Sequence, residues 1–70
     1  MNRDWMAGQW QEFRGIVHER WGKLTNDDLD VIAGRREQLI GMIQKLYGTT
    51  REAIDRQLDD LWERMAHAAK

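Results

Sequence analysis

Seventy residues, a formal net charge of −1 and the absence of cysteine set the limits. A chain of this length makes one domain, taken over 1–70, with a small core and little stability to spare; without thiols it has no disulfides, thiolate zinc sites or cysteine nucleophiles. Eleven basic and twelve acidic residues are interspersed, so no basic stripe or polybasic patch forms, which argues against nucleic-acid and membrane partners.

The opening stretch "MNRDWMAGQWQEFRG" carries Arg3, Asp4, Glu12 and Arg14 where a signal peptide needs an apolar run. No apolar run exceeds three residues, the length of Val31–Ala33, far short of a bilayer span. A cytoplasmic location is expected. Through this stretch Met6, Trp10, Phe13 and Val17 step by four, three and four, the single stripe of an amphipathic helix. Trp21-Gly22 then reads as its stop, with Gly22 in the left-handed conformation that ends helices.

"LTNDD" supplies the next start. Thr25 and Asp28 have the spacing of a capping box, and Asp27 and Asp28 suit the positive end of a helix dipole. A short second helix follows with Leu29 and Ile32 on one side, and Gly34 marks a bend or break. The third helix carries Leu39, Ile43 and Leu46 and stops at Tyr47-Gly48. Thr49 with Glu52 predicts a second capping box. The last helix has Ile54, Leu58, Leu61 and Met65 at four-three-four spacing. Proline is absent, and Glu, Gln, Arg, Leu, Ala and Met favour helix throughout.

The two halves repeat. A shift of 26 places Phe13 on Leu39, Gly15 on Gly41, Val17 on Ile43, Trp21 on Tyr47 and Gly22 on Gly48. The fold expected is all-α: a small irregular four-helix bundle built from two helical hairpins. Gly8, Gly15 and Gly22 are spaced by seven, as are Gly34, Gly41 and Gly48. Gly8, Gly15 and Gly41 fall opposite the apolar stripes, where an exposed mid-helix glycine costs about 1 kcal/mol against alanine. Drift at a tolerant position explains them most simply. A bare backbone strip for a partner, or a built-in tendency to unfold, is the functional alternative.

Motifs with chemical overtones fare poorly. Gly15 and Gly22-Lys23 are too far apart for a phosphate-binding loop, and Leu24 stands where a hydroxyl is required. Asn26, Asp28, Asp30 and Glu37 partly match a calcium loop, but Val31 occupies the sharp-turn position that needs glycine. A capped helix start accounts for the same residues. "HERWG" at 18–22 opens like a zinc-protease helix and lacks the second histidine. The chain has no serine, so His18 and His67 find no triad, and Asp59-Asp60 point to different parts of a helix surface. Four tryptophans could stack on single-stranded nucleic acid. Trp10 lies on the stripe, however, and Trp21 and Trp62 near its edges, so all three are expected to fill core with their indole nitrogens outward. Trp5 is off the stripe and is the tryptophan best placed to meet a partner.

"WxxFxGxxxxxWGKLTxDD", here Trp10 to Asp28, and "GxRxQLxGxIQxxYG", here Gly34 to Gly48, resemble the CsbD-like family of small bacterial stress-response proteins. Gln9 departs from the asparagine frequent before that first tryptophan. The resemblance spans nearly the whole chain. It implies a small helical bundle linked to general stress responses, with an undefined molecular activity and hence no catalytic residues to carry over; no cofactor is expected. The reading is of a non-enzymatic protein with a protective role or acting through contacts with an unknown protein partner or weak self-association. Trp5, Gly8, Gly15 and Gly41 are the candidate contact residues. A nucleic-acid-associated protein using exposed Trp and Arg residues is the alternative.

Overall fold

The computed structural model describes residues 7–68. A 3-10 turn at Ala7–Gln9 leads into α1 (Trp10–Arg20), followed by α2 (Asn26–Ile32), α3 (Arg36–Tyr47) and α4 (Arg51–Ala68). The architecture is all-α, a four-helix arrangement made irregular by the seven-residue α2 beside the 18-residue α4. Met6 and Trp5 lie outside the described residues. Gly8 belongs to the 3-10 turn and not to the first α-helix as anticipated; Gln9 makes no side-chain cap bond, and glycine adds no propensity to extend the helix.

Each stripe turns inward. Trp10, Phe13 and Val17 of α1, Leu29 and Ile32 of α2, Leu39, Ile40 and Ile43 of α3, and Ile54, Leu58 and Met65 of α4 form one core. Leu46 and Leu61, placed on the stripes by spacing, pack against that core only half-buried. α3 lies against both α2 and α4, and α1 closes the bundle against α4. Phe13 sits at the centre, with Trp62 edge-on at 5.3 Å and Trp10 edge-on at 6.4 Å between ring centroids. Such edge contacts match the positive rim of one ring to the negative face of another.

The joints differ from expectation in two places. α1 ends at Trp21 (φ −125°, ψ 77°), whose N–H donates to the Val17 carbonyl. Gly22 is not left-handed; among the described glycines only Gly34 and Gly48 have positive φ. The chain leaves α1 extended because Leu24 must reach the core, where it is fully buried, and a turn closes through Leu24 N–H to the Trp21 carbonyl. At the second joint Gly48 does end α3 in the left-handed conformation (φ 68°). The cap of α4 is Thr50, not Thr49: its Oγ1 accepts from the Ala53 N–H at 3.2 Å. Ala53 has no carboxylate to return, so this start lacks the reciprocal bond. The box at α2 is complete, Asp28 N–H donating to Thr25 Oγ1 (3.1 Å) and Thr25 N–H to Asp28 Oδ2 (3.0 Å).

Between the hairpins Ala33 (φ 49°, ψ 38°) and Gly34 (φ 82°) are both left-handed. Gly34 thus forms the break its position suggested. Glycine adopts this conformation freely, whereas it costs an alanine roughly 1–2 kcal/mol.

Candidate functional site

The side chains that looked chemical are engaged in holding helices together. Within the first hairpin, Trp10 Nε1 donates to the Leu29 carbonyl at 3.2 Å in a buried bond. That indole nitrogen faces inward, contrary to expectation, because α2 presents the Leu29 carbonyl, which accepts from the Ala33 N–H at 3.0 Å and has a second lone pair for the indole. Within the second hairpin, Arg36 Nη2 donates to the Asp55 carbonyl at 3.1 Å. Both donor and acceptor positions are related by the 26-residue shift. The repeat therefore preserves a side-chain clamp onto the partner helix while exchanging an indole for a guanidinium.

Arg36 is the one described charged residue that is buried, at 4% exposure. Its Nε and Nη2 also reach Asp55 Oδ1 (3.2 and 3.1 Å), and Nη2 reaches Asp59 Oδ1 (2.9 Å). Asp55 is about one-third exposed and Asp59 about two-thirds, so the cluster is buried at the guanidinium end and wet at the far carboxylate. Spacing alone did not reveal it, since Arg36 reads as a first-turn residue of α3. The signal that could have found it is the match of Arg36 to Trp10 in the repeat.

The calcium-loop residues are not brought together. Asp28 is in the α2 capping box, Asp30 pairs with Arg14 of α1 at 2.7 Å, and Glu37 on α3 pairs with Arg51 of α4. Arg14 also donates to the Asn26 carbonyl at 3.3 Å. The Glu37 hydrogen bond, with added attraction from nearby carboxylates, raises the Arg51 pKa above its ordinary value. An arginine is charged at physiological pH in any case, so this changes no protonation state. Among the described residues, no group of three His, Asp or Glu side chains is placed to hold a metal ion.

Trp10 and Trp21 are buried and Trp62 is half-buried against Phe13. Arg20 lies 5.3 Å over the Trp21 ring, and Lys23 lies 5.0 Å over Tyr47. The Lys23 N–H donates to the Tyr47 hydroxyl at 3.0 Å, tying the first joint to the second.

Of the proposed contact residues, Trp5 is outside the described residues. Gly8, Gly15 and Gly41 are exposed, and a methyl group added at any of them would meet nothing within 4 Å. Gly41 lies in a shallow open groove of about 350 Å³ lined by Glu37, Gln38, Gly41, Met42 and Lys45, all on α3. One helix supplies every wall, so the groove is a trough left where a side chain is missing. Among the described residues, no helix is long and apolar enough to cross a membrane.

Comparison with known proteins matches these features to one family. The model of the CsbD-like family matches residues 4–56. A UPF0337 protein of Pectobacterium atrosepticum is 49% identical over 90% of both chains. The UPF0337 protein YjbJ of Escherichia coli is 46% identical over 90% of both. A UPF0337 protein of Protochlamydia amoebophila is 44% identical over 91% of this chain and 97% of its own. No solved structure matches. A family model covering most of the chain, with relatives near half identity over about nine-tenths of their length, places this chain in the CsbD-like family.

Proposed function

We propose that this chain is a non-enzymatic, cytoplasmic stress-response protein acting through protein contacts or as a protectant. The observation that carries the reading is the engagement of the conspicuous functional groups in architecture. Thr25 and Asp28 cap a helix, Trp10 and Arg36 clamp helix pairs, and Asp30 and Glu37 pair with arginines of neighbouring helices. The groove at Gly41 is open and single-walled, unlike the enclosed, multi-element clefts that hold small substrates. The bare backbone at Gly15 and Gly41 is where a partner would approach most closely. The nucleic-acid alternative loses support from Trp10 and Trp21, whose rings are buried and unavailable for stacking on bases.

The test is complementation of a strain lacking the protein, scored as survival of heat or osmotic stress. Gly41→Gln fills the trough without straining the helix. If contacts at α3 matter, the variant keeps or raises its thermal midpoint and fails to complement. A bulk protectant keeps full complementation with the same variant and slows aggregation of a heat-labile enzyme in vitro. Unchanged survival on deleting the protein, across both stresses, would remove the reading.

A further inference from the structure

The break between α2 and α3 interrupts a pattern that the sequence carries straight through. Leu29, Ile32, Arg36, Leu39, Ile43 and Leu46 step by three, four, three, four and three. On an unbroken helix over 26–47 these six residues would form one continuous stripe. Five of the six are buried in the broken form, Arg36 among them, and Leu46 is half-buried. No proline prevents the helix from continuing, and both Ala33 and Arg35 favour it. The break instead places Ala33 in a left-handed conformation unfavourable for alanine.

From this we infer that Ala33–Gly34 is a hinge, and that two copies of the chain exchange hairpins when it straightens. In the exchanged dimer α2 and α3 of each copy become one helix. The α1–α2 hairpin of one copy then packs on the α3–α4 hairpin of the other. The clamps Trp10–Leu29 and Arg36–Asp55 lie within a hairpin and are kept inside each copy. The contacts between hairpins, Phe13 with Trp62 and Lys23 with Tyr47, re-form between copies. The core is thus unchanged in composition while two strained hinges are relieved. Short strained hinge connections are the recognised route to exchange of identical elements.

The experiment unfolds the full chain in guanidinium, refolds it at low and high protein concentration, and measures mass by size exclusion with light scattering. High concentration is expected to give a slowly dissociating dimer. Isotope-filtered NMR on dimer refolded from mixed labelled and unlabelled chains then reads the Phe13–Trp62 contact, expected between copies. Ala33→Gly relieves strain in the closed form and weakens the straight helix in both copies, so it should lower the dimer association constant at least about tenfold. Gly34→Ala, disfavoured at φ 82°, should raise it. Exclusively monomeric wild type at all concentrations overturns the proposal, as does a dimer whose Phe13–Trp62 contact stays within each copy. If Gly34→Ala does not fold, Ala33→Gly decides: a dimer constant equal to that of the wild type overturns the hinge.

Discussion

Asp55 and Asp59 both face Arg36, yet their removal should differ. Asp55 supplies the less exposed carboxylate and receives two guanidinium bonds. Asp55→Ala leaves a buried cation short of its main partner and is expected to cost about 2–3 kcal/mol. Asp59 is mostly in water, so Asp59→Ala should cost less than about 1 kcal/mol. Urea unfolding of the two variants measures the difference, and equal losses would contradict the geometry. The glycines give the opposite sign. Gly15 and Gly41 are exposed mid-helix positions where an added methyl group meets nothing. Alanine at each should stabilise by about 0.5–1 kcal/mol, raising the thermal midpoint by several degrees. Being on different helices with no shared partner, the two gains should add.

At the scale of elements, the helix starts rank themselves. The α2 box has both reciprocal bonds and the α4 start only the Thr50 bond. α2 is seven residues long, too short to be helical on its own. Thr25→Ala is therefore expected to cost about 1–2 kcal/mol. Thr50→Ala should cost about 0.5–1 kcal/mol, because an 18-residue helix frays at one end without losing its packing. Chemical denaturation reads both, and hydrogen exchange should show early opening of α2 in the Thr25 variant alone. This ranking was partly legible beforehand. Thr25 and Asp28 have capping-box spacing and form the box, whereas Thr49 and Glu52 have the same spacing and the cap falls one residue later, at Thr50. A capping pattern is local, but which threonine caps depends on where Gly48 releases the chain.

For the molecule as a whole, Phe13 is the ring at which α1 and α4 meet in the core. It is fully buried, with Trp10 and Trp62 edge-on to its ring. Phe13→Ala is expected to cost about 3–5 kcal/mol, comparable with the total stability of a domain this small. Circular dichroism should find the variant largely unfolded at room temperature. A cooperative transition close to that of the wild type would mean that the core is less interdependent than its packing indicates.

The sequence by itself determined the helices, their inward faces and the repeat. Period, the Gly48 stop and the Thr25–Asp28 box are local signals, each readable within a turn or two of chain. The family resemblance, carried by Trp10 to Asp28 and Gly34 to Gly48, was legible for the same reason. Tertiary structure alone decided the burial of Leu24, the inward turn of the Trp10 indole and the burial of Arg36. Each of these depends on what another helix presents across the core: space for a leucine, a carbonyl within reach of the indole, a pair of carboxylates on α4. A stripe specifies which side of a helix faces inward. It does not specify what that side will meet, because the partner lies some twenty residues away along the chain.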